Sequence, residues 1–192
     1  MAVLNVHERR IPASSEQVGA LIDALAGADD PLWPHPTWPR MKLDRGLVVG
    51  SRGGHGPIGY TVAAYVPGQW VRFRFSAPRG FKGFHEFTVS SDEPGGTVLR
   101  HVIAMRLHGT ARLAWPLAFR WLHDTLIEQC LDRALGAFQP EDCDHRRMAP
   151  HVRLLRYVTS QTAGRGRRPA PEPESRRAPT AGDATAPAAP AR

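Results

Sequence analysis

Residues 47–108 constrain the fold more than any other stretch. Apolar and polar side chains alternate there in short runs, with turn signals at Gly53-Gly54, Pro67-Gly68, Pro78 to Gly83 and Asp92 to Gly96. Runs with this period, split by Gly and Pro, read as about five or six strands of an antiparallel meander. One long helical pattern follows, "TARLAWPLAFRWLHDTLIEQCLDRALGAF", opened by Gly109-Thr110. A sheet must bury one face, and this helix is the only large element left to cover it. The order therefore predicts an α+β architecture, a curved antiparallel sheet wrapped around a long C-terminal helix. Pro116 predicts a kink or a helix start at its position.

The chain before the meander fits the same plan. "VLNVHERRI" reads as a strand ended by Pro12 and Ala13. Ser14 is a good N-cap, Gln17 completes a capping box, and Val18, Leu21, Ile22 and Leu25 recur at helical spacing. "DDPLWPHPTWPRM" carries prolines at 31, 34, 36 and 39 and reads as a stiff, irregular loop bearing Trp33 and Trp38.

"SRGGHGPIGYTV" (51–62) is the one glycine cluster that resembles a phosphate cradle. Such a cradle needs a helix directly after the glycines, so that free N–H groups and the helix dipole face the anion. Here Ile58, Tyr60 and Val62 continue with strand period, so the stretch reads as strand, turn, strand. His55 is expected as a solvated turn residue.

Strand parity sorts the side chains. Val71, Phe73 and Phe75 oppose Arg72 and Arg74. His85, Phe87 and Val89 oppose Glu86 and Thr88. Leu99, His101, Ile103, Met105 and Leu107 oppose Arg100 and Arg106. The arginines mark the outer face, so the first sets face the helix. On the helix, Trp115, Phe119, Leu122, Leu126, Cys130 and Ala137 form the matching apolar stripe. Arg120, Asp124, Glu128 and Asp132 recur every four residues and read as a wet, ion-paired face. No His is aligned with those acids, so no metal site is expected there. Tyr60, His85 and His101 are polar tips on an otherwise apolar inner face. Unpaired burial would cost each of them, and together they suit a mostly hydrophobic pocket with a few placed polar groups.

The charge lies at the end of the chain. The net charge is +7, and from Pro150 onward eight arginines stand against Glu172, Glu174 and Asp183, a net of +5. From Thr159 to Arg192 no Val, Leu, Ile, Met or aromatic residue occurs, which predicts a disordered Pro/Ala/Arg-rich tail over 159–192. Residues 141–158 read as a short basic segment after the domain, which is expected to end at 140; Val152, Leu155 and Tyr157 could make one amphipathic turn there, which docks on the domain, touches an acidic surface or does nothing. Cys130 reads as core. Cys143, near His145, is a weak metal or redox candidate. Two cysteines make no disulfide framework, and the sequence shows no signal peptide and no membrane span. A reduced, cytoplasmic setting is expected. There is no GxSxG elbow and no HExxH.

The element order, "IPASSEQVGALI" after the first strand, and "YTVAAYVPGQWVRFRFS" in the meander resemble the START-like superfamily of polyketide cyclases, Bet v 1-like proteins and lipid-transfer domains. The Y-x-PG-x-x-VRF pattern from Tyr65 to Phe73 is typical of its bacterial members. The resemblance spans residues 3–138 and implies a helix-grip fold with Trp33 and Trp38 near the cavity entrance. The leading functional expectation is a carrier or binder of a small hydrophobic molecule. Its ligand would be held by Trp33, Trp38, Tyr60, Phe73, Phe75, His85, Phe87, His101, Met105, Phe119, Leu122 and Leu126, with no cofactor and no metal. The resemblance also allows a cyclase-like or aromatase-like enzyme using His85 or His101 for acid–base chemistry, although no inner carboxylate is apparent to orient either ring. A third possibility is an interaction protein acting through its basic tail. That tail has no aromatic residues for stacking on bases and carries Glu172 and Glu174, which argues against nucleic acid. The sequence names neither the ligand nor the oligomeric state.

Overall fold

The computed structural model describes residues 1–92, 95–142 and 148–165, with only the backbone path at 142 and 158–165. Cys143, His145 and the tail from 166 onward fall outside these residues. The elements are β1 (Ala2–Ile11), α1 (Ser15–Asp23), β2 (Lys42–Leu43), β3 (Arg52–His55), β4 (Ile58–Val66), β5 (Trp70–Ala77), β6 (Phe81–Asp92), β7 (Gly96–Leu107), α2 (Ala111–Ala114), α3 (Arg120–Gly136) and α4 (Pro150–Arg165). The strands form one seven-stranded antiparallel sheet in the order β1-β7-β6-β5-β4-β3-β2. The sheet curves around α3, the α+β helix-grip arrangement.

Local chemistry accounts for most of the boundaries. The capping box at Ser14 is complete: Gln17 N–H donates to Ser14 Oγ, and Ser14 N–H donates to Gln17 Oε1. A single π turn, Trp115–Phe119, joins α2 to α3 around Pro116, the point at which the sequence predicts a kink. Proline lacks an N–H and crowds the carbonyl four residues back, so the helix opens by one residue there. The turn between β3 and β4 falls at Gly56-Pro57 rather than at Gly53-Gly54, which lie inside β3. Gly53 serves close approach instead, since a Cβ there would lie 1.8 Å from the Lys42 carbonyl oxygen of β2.

The Y-x-PG sequence has a structural task. Tyr65 Oη and the Gly68 N–H both donate to Asp23 Oδ1 at 2.8 Å, tying the β4–β5 turn to the end of α1. Gly19 of α1 sits so close to this turn that a Cβ would lie 2.1 Å from the Gly68 carbonyl oxygen.

The main core joins both helices to the sheet. Val18, Ile22, Val62, Val71, Phe73, Phe87, Leu99, Leu126 and Cys130 are buried in one cluster. Ile103, Met105, Leu107, Phe81, Ala111 and Trp115 form a second cluster at the end of the sheet near α2. On α3 the buried stripe is Leu122, Leu126, Ile127, Cys130, Leu131 and Ala134. Ala137, expected in that stripe, is exposed, because it caps the C-terminus of α3 after the last packed turn.

Two expectations are corrected here. Residues beyond 140 are not separate from the core: Val152 of α4 is buried in the main cluster, with Met148, Ala149 and Leu155 packed against it. The helix also runs past Thr159 to Arg165, inside the segment expected to be disordered. The second correction concerns the acidic face of α3. Asp132 is buried and Asp124 and Glu128 are about three-quarters covered, because the stripe packs against β1 instead of facing water.

Candidate functional site

A cavity of about 1280 Å³ lies between the sheet, α3, the proline-rich loop and α4. The apolar wall comes from Phe75, Phe81 and Phe87 on the sheet and Phe119, Leu122 and Leu126 on the helical side. Trp33 and Trp38 close one side. Each is buried, and each indole N–H is held: Trp33 donates to the Pro39 carbonyl at 3.0 Å and Trp38 to Gln129 Oε1 of α3 at 2.7 Å. They therefore serve as roof and core at once. The buried Asp30 sets the loop by accepting the N–H groups of Ala26, Leu32 and Trp33, each at 2.9 Å.

α4 closes the mouth. Arg153, Arg156 and Tyr157 stand on the cavity rim. Arg156 lies 5.9 Å over the Trp38 ring and donates to the Thr37 carbonyl. Arg40 and Lys42 join the same rim.

The polar wall is made of imidazoles. His55, His85, His101 and His123 all reach the cavity. His85 and His101 come from adjacent strands, with Phe87 opposite His101 and Ile103 opposite His85. The two rings are thus diagonal neighbours, and His101 Nε2 lies 3.4 Å from His85 Nδ1. Phe73 and Phe75 stack on His85 at 4.9 and 5.1 Å between centroids. The His123 ring is 5.0 Å from that of His101. Tyr60 Oη, His85 Nε2, His101 Nδ1 and His123 Nε2 are buried and have no hydrogen-bond partner among the described residues. Desolvation dominates their ionisation. It pushes His85 and His101 well below the ordinary histidine value, with neighbouring histidines adding to the effect, and it pushes Tyr60 well above the ordinary phenol value. His123 is also lowered by burial, against the opposing effect of its hydrogen bond to Asp124.

His55 is a correction. It is not a solvated turn residue: it sits in β3, 4.7 Å from the Trp33 ring and 5.9 Å from Tyr60, and burial drops it to about 3. The glycines around it let β3 lie close against β2 and β4, which brings the ring inward.

Of the residues expected at the site, Trp33, Trp38, Phe75, His85, Phe87, His101, Phe119, Leu122 and Leu126 line the cavity. Tyr60 and Phe73 stand one layer behind it, in contact with His85. Met105 belongs to the second core cluster, away from the cavity wall. His123 is not among the residues expected at the site, and docking is only one of three alternatives that the sequence leaves for the segment forming α4. A helical-wheel argument places His123 next to Asp124, on the edge of the polar face, and gives no sign that the chain's first strand pushes that edge inward.

Behind His123 lies a polar seam. Asn5, His7 and Arg9 of β1 point toward α3, while Leu4 is 74% exposed on the outside. His7 Nδ1 is 2.7 Å from Glu128 Oε1, and its Nε2 is 3.2 Å from Asp124 Oδ1. Both ring nitrogens face carboxylates, which only accept, so both carry protons and the ring is an imidazolium. Hydrogen bonding to Asp124 raises the His7 pKa against the cost of burial, and Glu128 adds to the rise. Asp124 is held well below the usual carboxylate range: bonds to histidine outweigh its burial. Arg9 Nη2 bridges Glu128 and Asp132, at 2.8 Å to each. The sequence argument that no His meets the acids therefore fails, because His7 arrives from a distant strand. The ligand atoms of His7, His123 and Asp124 lie within 4.8 Å of one another. The bonds above already commit the His7 and Asp124 atoms to each other.

No helix among the described residues is long and apolar enough to cross a membrane. No family model matches the chain. No curated protein matches its sequence. Solved structures do match. A protein from Thermobifida fusca superposes with a TM-score of 0.56 at 12% identity, over 75% of this chain and 98% of its own. CalU16 from Micromonospora echinospora matches with a TM-score of 0.51 at 14% identity, over 85% of this chain and 88% of its own. One chain of the Aha1 dimer from Colwellia psychrerythraea matches with a TM-score of 0.52 at 18% identity, over 73% of this chain and 98% of its own. At these identities the likeness is one of fold, and the shared fold is the α+β helix grip seen here.

Proposed function

We propose that the protein binds a small, mostly apolar molecule in the cavity between the sheet and α3, in the manner of START-like ligand-binding proteins. The observation that carries this reading is the cavity itself: about 1280 Å³, walled by Trp33, Phe75, Phe87, Phe119, Leu122 and Leu126, with buried polar atoms left unpaired on or beside its wall. Buried polar groups without partners are costly, and a ligand that supplies the partners recovers that cost. The resemblance of the Tyr65–Phe73 stretch to bacterial START-like members supports the same reading.

A second reading is an enzyme in which His85 and His101 act as a neutral acid–base pair. Their 3.4 Å contact favours it. Among the described residues neither ring has a carboxylate against it, since the carboxylates on the nearby helix pair with His7, Arg9 and His123. That keeps binding as the primary proposal.

Native mass spectrometry of the full chain, purified from its own cells, tests it. A non-covalent adduct of a few hundred daltons that disappears on denaturation is the expected result. An unliganded mass, together with failure to take up any environment-sensitive apolar dye, would count against a binding role.

A further inference from the structure

The hydrogen-bond inventory of the cavity narrows the ligand further, given that the binding proposal holds. Each neutral imidazole carries one N–H and one bare nitrogen. In the His85–His101 pair, one of the facing nitrogens donates and the other accepts. If His101 Nε2 donates, the proton of His85 is on Nε2 and His101 Nδ1 is bare. If His85 Nδ1 donates, these roles reverse. Either way the pair presents one unpaired donor and one unpaired acceptor, both buried. His123 adds a second acceptor. Its Nδ1 faces Asp124 Oδ1 at 3.4 Å, so the proton sits there and Nε2 is bare. The Tyr60 hydroxyl adds a donor beside His85.

The charges around this group are one-sided. Among the described residues, the cavity wall carries Arg40, Lys42, Arg153 and Arg156 at the rim and four histidines within, and no Asp or Glu. The carboxylates behind His123, Asp124 and Glu128, are held by His7, Arg9 and Asn5.

From these placements we propose that the ligand is an apolar organic acid. Its carboxyl group seats against His85, His101 and His123, and one proton is taken up from solvent on binding. A carboxylic acid offers one O–H and one C=O, the complement of the unpaired donor and acceptor. The acid arrives as a carboxylate, drawn by the cationic rim. A bare carboxylate in this apolar wall would be costly, so the proton it needs enters with it and is shared between carboxyl oxygen and imidazole nitrogen. Imidazole χ2 is broad, so a ring can turn a nitrogen toward the cavity without backbone movement. The groups that face the imidazoles are Tyr60 from β4, Phe73 and Phe75 from β5, Phe87 from β6, His55 from β3, and Asp124 with His7 behind His123. Two carboxylates act on this group among the described residues: Asp124, balanced by His7, and Asp30, which bears on Tyr60 and is held by the backbone N–H groups of Ala26, Leu32 and Trp33.

Isothermal titration calorimetry of the full chain with 2-naphthoic acid and with cis-parinaric acid tests the proposal, with the methyl ester of each as the neutral control. The acids should bind at least tenfold more tightly than their esters near pH 6. Acid affinity should fall about tenfold per pH unit on the alkaline side, the slope of one linked proton. Binding heats in buffers of different ionisation enthalpy should report uptake of one proton. His101→Leu and His85→Gln should bring acid affinity down to that of the ester and remove the proton uptake, with ester binding retained as a check on folding. The double variant Lys42→Ala, Arg153→Ala should weaken acid binding in low salt and keep the proton uptake. Equal binding of acid and ester without proton uptake would overturn the acid assignment and leave the binding proposal standing. Proton uptake lost in the rim variant but kept in His101→Leu would overturn it by moving the carboxyl to the mouth. Failure of all four probes to bind would overturn the binding proposal, and this one with it.

Discussion

Helix α3 turns two unlike faces to the rest of the molecule. One face, with Leu122, Leu126 and Cys130, meets the cavity and the apolar core. The other, with Asp124, Glu128 and Asp132, meets Asn5, His7 and Arg9 of β1. The seam is made of charges that find opposite charges. The cavity is lined with neutral imidazoles, several of whose nitrogens find nothing. Histidine appears on both sides in opposite states, because ionisation follows the surroundings: carboxylates hold His7 charged, and apolar walls hold His85 and His101 neutral. The comparison teaches that one helix can hold paired charges on one side and, on the other, an apolar core that borders a cavity with unpaired polar groups.

The seam should break first and hardest. Arg9→Ala leaves Glu128 and Asp132 facing each other without their shared cation. The expected cost is about 3 kcal/mol, at the low end for removing one partner from a buried charge cluster, because the Arg9 and Glu128 side chains keep 24% and 29% of their exposure. Urea denaturation of the purified variant measures it. A cost within error of zero would place the seam among ordinary surface ion pairs.

On the cavity side, the roof is the next largest effect. Val152→Ala should cost about 1–3 kcal/mol, since the side chain is buried in the main cluster and leaves a gap that α4 cannot easily close. An unchanged melting temperature would mean that α4 contributes nothing to the core.

pH separates the two sides by sign. His7 has a raised pKa in the folded state, so its contribution is complete below the unfolded histidine value and is lost as pH rises through the folded value. His85 and His101 have depressed pKa values, so the unfolded chain binds more protons, and stability falls as pH drops below the unfolded value near 6.5. Each limb has a slope of at most about 1.4 kcal/mol per pH unit per group. His7→Gln should flatten the alkaline limb alone, and His85→Gln should flatten the acid limb alone. Guanidinium unfolding midpoints from pH 5 to 8 test this, and matching changes in both variants would erase the distinction.

The smallest expected effect is His101→Leu in the unliganded protein, within about 1 kcal/mol of wild type. It removes the unpaired His101 Nδ1 and a long 3.4 Å contact, and the ring is replaced by a side chain of similar bulk. A loss of several kcal/mol in a thermal melt would make His101 a member of a satisfied structural network and shift the comparison toward structure on both sides.

What could be read from the chain follows from locality. The meander, the capping box at Ser14, the kink at Pro116 and the inward parity of Phe73, His85, Phe87 and His101 are all encoded by neighbours two to four residues apart, and the structure has them where the pattern put them, apart from the first meander turn, which moves from Gly53-Gly54 to Gly56-Pro57. The sequence by itself thus determined an α+β grip with a mostly apolar, His-bearing inner face. Tertiary structure decided the rest, because the partners are far apart in the chain. β1 alternates as a strand should, but it points Asn5, His7 and Arg9 inward and leaves Leu4 outside. That choice makes sense only once α3, some 120 residues later, supplies the acids. The same distance hid His123, whose neighbour Asp124 is pulled toward β1, and His55, which tertiary contact with Trp33 turns from a turn residue into cavity wall. It also left open whether the basic segment of α4 docks at all, a choice decided by Val152, which is buried against the main core. Local periodicity tells a residue which side of its own element it occupies. Only the packing of elements against each other decides whether that side meets water, an ion or a cavity.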